Sequence, residues 1–134
     1  MAGRIAPHSP IPHGCPFRAG DRVFGSSQGA YAERIAVNYN SLLPIPHHLS
    51  FAQAAGLYVT YPTSYEALVG RAQLRPGEWV LVHAAAGGVG LAAVQIAKAL
   101  GARVIGTAAG RKKLDVVRRL GGADEVIDYT EKGK

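Results

Sequence analysis

From residue 79 onward the chain alternates short apolar runs with longer helical stretches. Residues 79–84 are apolar apart from His83, which predicts a strand covered on both faces of its sheet. Gly87, Gly88 and Gly90 follow, and the alanine-rich residues 89–100 predict a helix that Gly101 stops. Residues 103–107 predict a second strand, residues 111–120 a helix closed by Gly121 and Gly122, and residues 125–129 a third strand. A βαβαβ order implies a parallel sheet, an α/β architecture of partial Rossmann type.

Upstream the pattern changes. Residues 1–17 are proline-rich and aperiodic and predict no fixed structure. Residues 20–24 read as a turn feeding a short strand, and residues 31–37 as another strand beyond the flexible 25–29. Residues 43–46 contain Pro44 and Pro46 and read as extended, since proline excludes helix and central strand. Ser50 with Gln53 forms one capping box. Thr63 with Glu66, directly after Pro62, forms a second, so a new helix is expected over residues 64–72. Residues 75–78 then form a Pro-Gly turn.

The junction of strand and glycines carries the chemistry. Ala85-x-Gly87-x-x-Gly90 matches G-x-G-x-x-G except at its first position, where a methyl group is tolerable outside the left-handed region. Gly87 lets the main chain approach a pyrophosphate, and Gly90 lets the helix pack closely on the strand. The helix N-terminus then offers unpaired N–H groups to the anion. A glycine-rich turn without a ligand is the bland alternative. NAD sites place an acid about 20 residues past the motif, for the ribose 2′-hydroxyl. Here no carboxylate lies between Glu78 and Asp115, and Arg111, Lys112 and Lys113 follow the second strand. That favours NADP(H), with Arg111 or Lys113 on the 2′-phosphate and the other cations solvated.

Composition sets bounds on this reading. The 134 residues suffice for one modest domain or parts of two, and 48% hydrophobic with 18% charged content describes a globular chain. No apolar run is long enough to span a membrane, and residues 1–16 lack the apolar core of a signal peptide. The single cysteine, Cys15, excludes an internal disulfide and fits a reducing, cytoplasmic setting. A net charge of +6 permits nucleic acid as a partner, but the aromatic residues are too few and scattered for a stacking platform. His83 is expected to be packed and hydrogen-bonded near the cofactor, and His47 and His48 to be solvated.

Residues 80–92, together with Gly20-Asp21-Arg22-Val23, Gly29-Ala30-Tyr31-Ala32-Glu33, Pro44-Ile45-Pro46 and Thr63-Ser64-Tyr65-Glu66-Ala67-Leu68, closely resemble the zinc-independent quinone oxidoreductases. These form the zeta-crystallin-like branch of the medium-chain dehydrogenase/reductase superfamily. The resemblance implies that residues 17–58 are the last strands of a GroES-like catalytic domain and residues 59–134 the first half of a Rossmann NADP-binding domain. Residues 1–16 are left irregular. It implies hydride transfer from NADPH to a quinone or other activated double bond, without metal and without a catalytic side chain in this stretch. It also implies that Thr63 lies near the nicotinamide, Lys113 at the 2′-phosphate and Tyr129 beside the adenosine phosphate. Gly110 stands where relatives often carry serine. The expected cofactor set is Thr63, Ala86, Gly87, Gly88, Val89, Gly90, Thr107, Gly110, Arg111, Lys113 and Tyr129. Relatives are homodimers. Against their length the chain reads as the inner part of such an enzyme, able to bind nucleotide but holding little of the substrate side. An enoyl reductase of the same superfamily, or a non-catalytic RNA- or nucleotide-binding segment, remain the alternatives.

Overall fold

In a computed structural model, which describes residues 1–131, the chain divides into two units, Met1–Tyr58 and Val59–Lys134. Residues 132–134, the tail of the expected Rossmann half, lie outside the described residues.

The first unit is built on a three-stranded antiparallel sheet of β1 (Ala2–Arg4), β2 (Arg22–Gly25) and β3 (Leu42–Pro44), with β2 central. Two expectations fail here. Residues 1–17 are not without fixed structure. β1 pairs with β2, the Met1 ammonium donates to the Gly25 carbonyl (3.0 Å), and Ile5 N–H donates to Asp21 (3.0 Å). A central strand needs partners on both edges, and backbone groups far apart in sequence supply them. Residues 31–37 do not form the second strand; β3 takes that place. Residues 31–36 are exposed, whereas Leu42 and Ile45 are buried, so burial favours the later segment. Pro44 is tolerated because β3 is an edge. Phe17, Val23 and Leu42 form the small core.

The capping box at Ser50 forms as expected: Ser50 N–H donates to Gln53 Oε1 (2.8 Å) and Gln53 N–H to Ser50 Oγ (3.2 Å). The second box does not. Helix α1 (Phe51–Tyr65) runs unbroken through Pro62 and continues as a π-helical segment, Glu66–Arg71. Thr63 is therefore interior to a helix, and its hydroxyl donates back to the Val59 carbonyl (2.7 Å). Glu66 instead pairs with Arg71 Nε (3.0 Å). Side-chain bonds to the second helix hold the stretch around the proline. Ser64 Oγ lies 2.8 Å from the Val89 carbonyl, and the Tyr61 hydroxyl donates to Gln95 Oε1.

In the second unit β4 (Trp79–Val82), β5 (Arg103–Ala108) and β6 (Glu125–Asp128) form a parallel sheet in that order. Helices α2 (Gly88–Ala99) and α3 (Arg111–Val116), the latter continuing as the π-helical Val117–Gly121, make the crossovers. The core joins Val82, Ala85 and Val104 to Val94 and Ala97 of α2 and Val117 beyond α3. Contrary to expectation, β4 is not covered on both faces. Trp79 and Leu81 are 52% and 53% exposed while Val82 is buried. The helices cover the Val82 and Val104 side, so residue alternation decides which β4 side chains see solvent. Asp124 fastens the start of β5, accepting from Val104 N–H (2.7 Å) and from Lys98 Nζ (2.8 Å).

Candidate dinucleotide-binding site

At the end of β4 the chain turns tightly enough to force a rare backbone geometry. Ala84 takes φ +50°, and Gly87 N–H donates back to its carbonyl (2.9 Å). The left-handed residue is thus Ala84, and Ala85, the first motif position, avoids that region and is fully buried. Ala85 N–H donates to the Thr107 carbonyl (2.9 Å), tying the turn to β5. Gly87 precedes α2 with extended backbone, and its carbonyl accepts from Leu91 N–H (2.7 Å).

Gly88, Val89 and Gly90 supply the first turn of α2, whose amides have no partner inside the helix. A Cβ on Gly90 would lie 2.5 Å from the Ala84 carbonyl oxygen and 2.8 Å from Ala85 Cα. Only glycine lets this helix sit so close to the strand. Gly87, Gly88 and Val89 are exposed, so an anion can reach the turn.

The ends of β5 and β6 lie alongside. Thr107 is buried, with Oγ1 3.2 Å from His83 Nδ1. His83 is hydrogen-bonded as expected but exposed, not packed, because it projects beyond the last residue of β4. Gly110 adopts φ +79° and ψ 151°, and Arg111, Lys112 and Lys113 follow it, all exposed. Among the described residues none of these three cations joins an ion pair. Tyr129, 62% exposed, donates its N–H to the Ala108 carbonyl (3.4 Å).

The candidate residues Ala86, Gly87, Gly88, Val89, Gly90, Thr107, Gly110, Arg111, Lys113 and Tyr129 therefore all stand at or just beyond the C-terminal ends of the three strands. In an open parallel sheet that is the ligand-bearing edge. Thr63 is different: it is exposed on α1 with its hydroxyl bonded to its own helix, and its buried neighbour Ser64 is what meets the turn, through Val89.

Two residues of this arrangement have weak sequence signatures. Ser64 reads as a helix start beside Pro62. Asp128 caps β6 and accepts three hydrogen bonds: from the Thr130 hydroxyl (2.6 Å), Thr130 N–H (2.9 Å) and Gly110 N–H (3.0 Å). In that order these donors hold its carboxyl below the ordinary 3.8. The Asp-Tyr-Thr spacing is an Asx-turn signature, but the bond to Gly110 has no local signal.

A cavity of about 600 Å³ in the first unit, lined by Met1, Ile5, Cys15 and Val37 among others, includes none of the candidate residues. Among the described residues no group of three or more His, Cys, Asp or Glu gathers at one point, and no helix is long and apolar enough to cross a membrane.

Strand, glycine turn and helix on a parallel sheet define a Rossmann-type dinucleotide-binding unit. Comparison with known proteins narrows this. The family model described as zinc-binding dehydrogenase matches residues 88–134. The quinone oxidoreductase of Pongo abelii is 44% identical over 117 residues, 86% of this chain and 35% of that protein. The Escherichia coli quinone oxidoreductase complexed with NADPH matches with TM-score 0.75 at 39% identity, covering 92% of this chain and 37% of that one. The CurK enoyl reductase matches with TM-score 0.77 at 35% identity, covering 87% and 36%. Over the stretch so matched, the chain is similar to quinone oxidoreductases, and it spans 35% of the length of the curated quinone oxidoreductases it matches.

Proposed function

We propose that these residues form the adenosine-phosphate side of an NADPH site in a quinone oxidoreductase. The observation that carries this reading is the Gly87–Gly90 turn, closed on Ala84 and packed too tightly for any side chain at Gly90, with three exposed cations, in no ion pair among the described residues, just beyond the end of the next strand. The site fits the cofactor: the α2 amides suit the pyrophosphate, and Arg111 or Lys113 the 2′-phosphate. Ala86, Gly88, Val89 and Thr107 would line the same edge, Tyr129 would flank the adenosine, and Thr63 would stand toward the nicotinamide. When bound, the cofactor supplies the hydride, which goes to a quinone or other activated double bond. The protein residues bind and orient. The NADPH complex of the Escherichia coli relative supports this choice of cofactor. A homodimeric, cytoplasmic protein belongs to the same reading, on family resemblance alone.

Calorimetric titration with 2′-phospho-ADP and ADP tests the proposal. Tighter binding of the 2′-phosphorylated nucleotide is expected, and equal affinity would refute the cofactor assignment. The CurK match supports a second reading, reduction of an enoyl thioester with the same cofactor. Turnover of an enoyl thioester but not of a quinone by the protein would favour that reading.

A further inference from the structure

We propose that Asp128 is the positioning residue of the 2′-phosphate side of the site, its one carboxylate fixing both the segment that leads into Arg111 and Lys113 and the segment that carries Tyr129. The inference rests on the NADPH reading above and assigns a role to a residue outside the expected contact set.

Arg111 and Lys113 are exposed and enter no ion pair among the described residues. Their side chains are therefore not pre-aimed by partners, and where they reach is set by the backbone from which they spring. That backbone begins at Gly110, whose φ +79° and ψ 151° are accessible in practice to glycine alone. A Cβ there would meet nothing within 4 Å, so glycine is required by conformation and not by space. Such a conformation persists only where surrounding contacts impose it. Asp128 Oδ2, accepting the Gly110 N–H at 3.0 Å, is the side-chain contact that reaches this amide.

The other oxygen does comparable work on the far side. Asp128 Oδ1 accepts the Thr130 N–H (2.9 Å) and hydroxyl (2.6 Å), closing a turn around Tyr129. The half-buried carboxylate thus sits between the two segments, each side depending on it. A carboxylate beside an anion site is ordinarily a repulsive neighbour. Here three donors surround it, and its value to the site is the geometry it holds. The two effects of removing its charge have opposite signs, so one measurement separates them.

The test uses the full chain and the probes 2′-phospho-ADP and ADP. Asp128→Asn keeps a carbonyl oxygen for Thr130 but turns an amino group toward the Gly110 N–H. Its preference for the 2′-phosphorylated nucleotide is expected to fall about tenfold, with affinity for ADP held within about twofold. Thr130→Val removes one donor, leaves the Gly110 bond in place, and is expected to keep the preference within about twofold. A purely structural carboxylate would make both variants shift both ligands alike. Gly110→Ala perturbs the same loop with Asp128 intact and serves if the Asp128 variant fails to fold; loss of the preference is again expected. An unchanged or increased preference in Asp128→Asn or Gly110→Ala overturns the proposal. If wild type itself shows no preference, the cofactor reading falls and takes this one with it; if wild type prefers and the variants do too, this one falls alone.

Discussion

Replacing Gly90 by alanine is expected to cost stability, and the structure sets the size. The new Cβ would lie 2.5 Å from the Ala84 carbonyl oxygen, 2.8 Å from Ala85 Cα and 3.0 Å from the Ala84 carbonyl carbon. All three are backbone atoms, and ordinary contact begins at 3.4 Å. The first turn of α2 must then withdraw by about 0.9 Å, a strain of the overpacking kind that costs about 2–3 kcal/mol. Withdrawal is resisted by the Gly87–Ala84, Ala85–Thr107 and Ser64–Val89 hydrogen bonds. Alanine returns about 1 kcal/mol as the better helix former, leaving a net loss of about 1–2 kcal/mol. For a domain of this size that lowers the melting temperature by about 4–16 °C. Gly88→Ala is the control. Its Cβ would meet a Thr60 side-chain methyl at 3.1 Å, an overlap of about 0.3 Å against about 0.9 Å at Gly90, so a smaller loss, below about 1 kcal/mol, is expected. Gly87→Ala should dissociate the two properties. Its φ of −77° suits any residue and its Cβ would overlap the Ala84 carbonyl oxygen only slightly, at 3.3 Å, so folding survives, while the methyl obstructs the pyrophosphate and weakens nucleotide binding roughly tenfold. Urea unfolding followed by the single tryptophan, Trp79 on β4, measures stability, and calorimetry measures binding. If Gly90→Ala proves as stable as wild type, or Gly88→Ala costs as much, the close packing inferred at the turn is wrong.

Arg111→Ala or Lys113→Ala should weaken 2′-phospho-ADP binding about tenfold or more and leave ADP binding nearly unchanged; titration of both ligands identifies which cation meets the phosphate. Pro62→Ala should stabilise the protein by about 1–3 kcal/mol in urea unfolding, because Pro62 is exposed and interior to α1, where alanine removes a ring clash and restores an amide. Asp124 and Asp128 are both held below the ordinary 3.8, Asp124 chiefly by its hydrogen bonds to Lys98 and the Val104 N–H. Lowered folded-state values mean that their stabilisation is complete above that pH and is lost as pH falls through the folded values. The melting temperature of wild type should therefore drop more steeply below about pH 4 than that of the Asp124→Asn, Asp128→Asn double variant, and parallel curves would contradict the assignment.

What was legible in the sequence follows the range of the forces involved. The βαβαβ unit was readable because each element is set locally, by apolar runs, glycine stops and the spacing of Gly87 and Gly90, and each sits within a residue or two of its expected bounds. The Ser50 capping box was readable for the same reason, since both of its bonds span three residues. The failures share the opposite property. The pairing of β1 with β2 joins residues about twenty apart, and nothing within residues 1–17 announces it. Pro62 looked like a helix boundary because the local cost of proline is real, but the bonds from Tyr61 to Gln95 and from Ser64 to Val89 span 34 and 25 residues.

The site divides along the same line. Its glycines and cations are one-dimensional signals, whereas what orders them is not. The strained backbone lies at Ala84, one position before the motif begins, because Gly87 closes its hydrogen bond onto that carbonyl. Asp128 lies 18 residues beyond the amide it holds. The absence of an acid between Glu78 and Asp115 correctly describes the stretch near the expected phosphate, yet a carboxylate from the next strand stands beside Gly110 all the same. A rule for cofactor choice written along the chain counts charges by sequence distance, while the phosphate responds to charges by spatial distance and by how many donors already surround them. An acid saturated by three hydrogen bonds is, for that purpose, part of the scaffold.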